Sequence, residues 1–91
     1  MSRADGDQPV DAARMRRVRW RCRRGLLEND LVLSRFFARF GEDLSEDDVR
    51  GLDVLLDLGD NELLDLILGR VEPAADIDPS ASRILGLLRS V

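Results

Sequence analysis

"RCRRGLLENDLVLSRFFARFG", residues 21–41, decides the fold class. Between its two glycines, Leu33, Phe36, Phe37 and Phe40 recur at spacings of three and four, which places them on one side of a helix. The spacing predicts a helix from Leu26 to Phe40, with Glu28 and Asp30 near its positive end and Gly41 placed to stop it. Upstream, Arg23 and Arg24 read as the last turn of a preceding helix, where cations oppose the negative end of the dipole. Gly25 reads as its left-handed stop.

Working outward, residues 1–10, "MSRADGDQPV", are polar and aperiodic and read as a flexible N-terminal tail. Asp11 can cap the first helix, whose apolar face is Met15, Val18 and Cys22. Ser45 opens a third, with Glu46, Asp47 and Asp48 in its first turn and Val49, Leu52, Leu55 and Leu56 facing inward; Gly59 closes it. Asp60 is expected to cap a fourth carrying Leu63, Leu66 and Ile67, which Gly69 ends. After the connector "RVEPAADIDP", residues 70–79, Asp78 followed by Pro79 begins a fifth helix with Ile84, Leu85 and Leu88 on its face. Gly51 and Gly86 fall inside helices, where each costs about 1 kcal/mol relative to Ala, so close helix packing is expected at both. No period-two pattern occurs. The expectation is an all-α protein, a compact bundle of five short helices forming one domain over residues 11–91.

The 91 residues contain no His, Lys or Tyr and a single cysteine, Cys22. An imidazole base, a Schiff-base amine and a partnered thiol are therefore all missing, and a zinc site cannot be assembled from one thiol. Carboxylates are abundant, yet "DLGDNELLD" and "DIDPSAS" both lack the ligand spacing of a calcium loop. The inventory points away from an enzyme, with no catalytic residues, no metal and no cofactor of its own. No apolar run is long enough to span a membrane, and the acids near Met1 do not suit a targeting peptide. The reading is a cytoplasmic protein without membrane insertion.

Charge divides the chain. Residues 1–39 hold ten arginines against five acids, whereas residues 40–91 hold four against thirteen, a dipole able to steer association with a complementary partner. Seven of the arginines lie between positions 14 and 24. Trp20 sits opposite the apolar stripe among them, and two readings stay open: it packs on a neighbouring helix beneath arginine stems, or it belongs to a binding surface. For the arginines themselves, a solvated basic face suits the acidic net charge better than nucleic-acid binding does. Asp53 and Asp57, four apart, read as a mutually repelling, solvated pair. Cys22 reads as a small core residue.

"RWRCRRGLLENDLVLSRFF", residues 19–37, resembles the signature of the succinate dehydrogenase assembly factors that promote FAD attachment, whose motif is R-G-x-x-E. Here that motif is Arg24, Gly25, Leu26, Leu27 and Glu28, flanked by Trp20, Cys22 and Arg23 and followed by Asp30. The resemblance continues through "LSEDD" and "LLDLGDNELLDLI". It departs at Leu26, Asn29 and Leu66, where methionine, leucine and tryptophan respectively are common.

The resemblance implies a small helical bundle that binds the flavoprotein subunit of succinate dehydrogenase and, in some bacteria, that of fumarate reductase. The motif surface would hold the immature flavoprotein while the partner's own histidine forms the bond to FAD. Arg24 and Glu28 would make polar contacts and Gly25 would permit close approach, with Trp20, Arg23 and Asp30 completing the partner-binding set. The alternatives are an arginine-rich nucleic-acid-binding module and an antitoxin-like module with an unrelated partner.

Overall fold

Three of the five helices, α1, α3 and α5, start at a short polar side chain that accepts from their free N–H groups. The computed structural model describes residues 10–23 and 25–91, so the tail assigned to residues 1–10 falls outside the described residues except for Val10. Asp11 caps α1 (Ala12–Arg21), its Oδ1 accepting from the Arg14 N–H at 2.8 Å. Helix α2 (Leu27–Phe40) runs into a 3₁₀ turn over Gly41–Asp43. Ser45 and Asp48 form a reciprocal capping box at the start of α3 (Glu46–Leu56). Helix α4 (Asp60–Ile67) follows a short turn, and Asp78 caps α5 (Pro79–Ser90) with Pro79 at the first helical position. Among the described residues these five helices and one 3₁₀ turn are the regular elements.

The core is mainly aliphatic. Val18 of α1, Leu33 and Phe36 of α2, Val49, Leu52 and Leu55 of α3, Leu63 of α4 and Ile84 and Leu88 of α5 are almost wholly buried around one centre. Removing such side chains from water supplies the drive to fold, about 1.5–3 kcal/mol for each large one. The most extensive helix pair is α3 with α5. It closes on Gly51, where a Cβ would collide with the backbone of Ser80 and Ala81. An ion pair from Arg83 to Asp48 flanks that contact.

Glycine behaves differently from expectation at three positions, Gly25, Gly59 and Gly86. Helix α1 ends at Arg21, and its last carbonyls are taken by tight bonds from the Cys22 and Arg23 N–H groups to Arg19 and Trp20. A left-handed residue is therefore not needed at Gly25, and Arg23 lies beyond the last turn. Gly41 is the C-cap of α2, as expected, with a right-handed φ of −57°; a Cβ there would stand 2.8 Å from Arg19 Nη2, the flexible end of a side chain that can shift aside. Gly59 is the N-cap of α4 and Asp60 its first residue, rather than Asp60 the cap. Gly86 is exposed, and a Cβ added to it would meet open space, so packing does not account for this glycine.

The one positive φ among the described residues is at Gly69, 74°. There the Arg70 N–H reaches the Asp65 carbonyl and the Gly69 N–H that of Leu66. This Schellman pattern turns the chain out of α4 as the sequence predicts.

Candidate protein-binding site at the α1–α2 junction

Helix α1 is held from two sides, and this sets the direction of its outer face. Toward α3, Arg14 Nη2 lies 2.5 Å from Asp53 Oδ2, Arg21 Nη1 2.8 Å from Asp53 Oδ1, and Arg21 Nη2 2.6 Å from Asp57 Oδ1. The hydrogen bond to Asp57, joined by Asp53, outweighs partial burial and raises the affinity of the Arg21 guanidinium for its proton. Toward α2, the Arg19 guanidinium sits 4.5 Å from the centre of the Phe37 ring. The acids expected to repel in solvent thus form a clamp on α1. The signal was present in the sequence as two acids one turn apart and two arginines two turns apart, but only packing opposes them.

With those contacts made, Trp20 points outward and is 70% exposed. That removes the core reading of this tryptophan. Arg23 lies 5.3 Å from its ring centre. Cys22, on the opposite side, is buried as expected.

The junction itself rests on the start of α4. Asn29 is completely buried, and its Nδ2 donates to the Asp60 carbonyl at 2.8 Å. Gly25 is exposed, and a Cβ on it would meet only Asp60 Oδ2, at 3.8 Å. Glu28 is exposed and Asp30 half-buried, both in the first turn of α2 where negative charge is favoured. Arg24 lies outside the described residues.

Arg23, Asp30, Leu31 and Phe37 line an open groove between the end of α1 and α2. Leu27 and Leu31, one turn apart on α2, are 66% and 48% exposed. Neither leucine belongs to the apolar stripe that the spacing of α2 marks, although their position inside and just after R-G-x-x-E is a signal that could have found them.

Trp20, Arg23, Gly25 and Glu28 are therefore all accessible around one helix junction. An exposed tryptophan beside arginines, with apolar side chains and a carboxylate nearby, has the composition of a protein-binding surface. Fold and surface together define a small helical interaction module.

The sequence family described as flavinator of succinate dehydrogenase matches residues 16–91. The FAD assembly factor SdhE of Ralstonia nicotianae is 52% identical over 82 residues, covering 89% of this chain and 86% of that protein. FAD assembly factors SdhE of Legionella pneumophila and Coxiella burnetii are 37% and 40% identical, covering 75% and 64% of this chain and 86% and 71% of theirs. No solved structure matches the chain. The chain belongs to the flavinator of succinate dehydrogenase family.

Proposed function

We propose that this protein binds the flavoprotein subunit of succinate dehydrogenase and promotes covalent attachment of FAD to it, acting as an assembly factor and not as the catalyst. Membership of the family and the names of the relatives support this role. The observation that carries the site is the exposure of Gly25 and Glu28, two positions of R-G-x-x-E, at the α1–α2 junction. We assign client contact to Arg24, Gly25, Glu28, Arg23, Trp20 and Asp30.

The chemistry left to such a surface is positioning. Arg24 can pair bidentately with a client carboxylate, Glu28 can accept hydrogen bonds, and Gly25 leaves room for close backbone approach. Holding the immature flavoprotein in one arrangement removes an orientational cost from the client's own reaction. FAD belongs to the client, and the assembly factor needs no cofactor or metal. The fumarate reductase flavoprotein is a second client to test. The proposed setting is the cytoplasm, and no helix among the described residues is long and apolar enough to cross a membrane.

The test is covalent flavin on the denatured succinate dehydrogenase flavoprotein, in cells with and without the gene. Flavin should be lost on deletion and restored by the wild-type gene, but not by Arg24→Ala or Glu28→Ala. Unchanged flavin in the deletion strain would overturn the proposed function.

A further inference from the structure

Helix α1 sends its arginines in three directions. Counting about 100° per residue from Met15, Arg14 and Arg21 fall near 250°, Arg19 near 40°, and Arg16, Trp20 and Arg17 between about 100° and 200°. The first strip is bound to Asp53 and Asp57, and Arg19 covers Phe37. The third strip faces water. Arg16 and Arg17 are exposed and have no ion pair or hydrogen-bonded partner among the described residues. Together with Ala13 and Trp20 they line a shallow surface depression.

This arrangement is unusual in a chain with thirteen acids after residue 39. Three of those acids, Glu46, Asp53 and Asp57, pair with the same helix, yet only through Arg14 and Arg21. On the face turned away from them, Trp20 stands exposed between Arg16 and Arg17, which have no ion-pair partner among the described residues. An indole is costly to expose, and an aromatic anchor ringed by arginine is favoured where a partner will cover it. The Arg23 guanidinium, against the Trp20 ring, makes this strip continuous with the R-G-x-x-E junction.

We propose that Arg16, Arg17 and Trp20 form a docking patch for an acidic surface of the client flavoprotein, extending the junction surface toward the start of α1. This rests on the function proposed above and adds to it where the client sits and which charge it presents. Arg16 and Arg17 attract client carboxylates before contact, and Trp20 supplies the apolar anchor after it. A phosphate backbone fits less well. The basic strip is one helix wide, and Asp53, Asp57 and Glu46 border it along α3, so a polyanion following α1 would meet carboxylates at its edge.

The test is the kinetics of binding between the purified full chain and the purified flavoprotein subunit, at low and high salt. The double variant Arg16→Glu/Arg17→Glu should associate about tenfold more slowly at low salt, a difference that shrinks at high salt. Trp20→Ala should dissociate about tenfold faster. Arg16→Lys/Arg17→Lys should keep the fast association, and Arg70→Glu, a single charge reversal past the end of α4, should behave as wild type. Circular dichroism checks that each variant is folded.

Wild-type kinetics in either the double Glu variant or Trp20→Ala overturns the patch. So does binding of a short DNA duplex that the double Glu variant loses while its flavoprotein kinetics stay normal. If the wild-type chain does not bind the flavoprotein at all, the proposed function fails before the patch is reached.

Discussion

Arg21 Nη1 lies 2.8 Å from Asp53 Oδ1, joining α1 to α3 at a carboxylate that also receives Arg14. Asp53 is the shared, better-covered acid, with its side chain 20% exposed, whereas that of Asp57 is 73% exposed. Asp53→Asn is expected to cost about 1 kcal/mol and Asp57→Asn less than about 0.5 kcal/mol, because exposed pairs gain little over hydration. Urea unfolding measures both. Equal losses, or no shrinkage of the Asp53 effect in high salt, would contradict the clamp.

The two helix-interior glycines should respond oppositely to alanine. Gly51→Ala drives a methyl into the backbone of Ser80 and Ala81 and is expected to destabilise by about 2 kcal/mol, overpacking outweighing better helix propensity. Gly86→Ala meets nothing and should stabilise by up to about 1 kcal/mol. Thermal unfolding of the pair decides the matter by sign alone.

Asn29 is completely buried, donates one hydrogen bond to the Asp60 carbonyl, and has no partner for its Oδ1 among the described residues. A buried acceptor of this kind costs about 1–3 kcal/mol. Leucine at this position removes that cost and adds apolar burial, at the loss of one hydrogen bond. Asn29→Leu is expected to raise stability by about 1 kcal/mol. A lowered urea midpoint would mean that the tie between α2 and α4 outweighs the orphaned oxygen.

Gly25 is exposed, and a Cβ there is within ordinary contact of Asp60 alone. The Gly25→Arg variant is therefore expected to fold normally, with an unfolding midpoint close to wild type, while failing to restore covalent flavin in the deletion strain. An unfolded variant would make Gly25 a folding residue, and a fully active one would remove it from the proposed client surface.

Much of the fold could be read along the chain because its signals are local. Ser45 with Asp48, Asp78 with Pro79, and Gly69 act through hydrogen bonds within a few residues, so their roles survive without knowledge of what packs where. The apolar spacing of Leu33, Phe36 and Phe37 likewise marks a buried face whatever covers it. The glycine assignments failed where two local solutions compete: the end of α1 closes by tight hydrogen bonds, so Gly25 is not its stop.

The sequence by itself determined five helices, their main caps, the buried stripes and the membership carried by R-G-x-x-E and its flanks. Only the tertiary structure decided which charges are free. Arg14 and Arg16 are chemically identical and two residues apart, yet one meets Asp53 and the other meets water. The difference is about 160° around a helix axis and the presence of α3 on one side of it. That same geometry turns Trp20 outward, because no helix among the described residues covers the face of α1 opposite its core stripe.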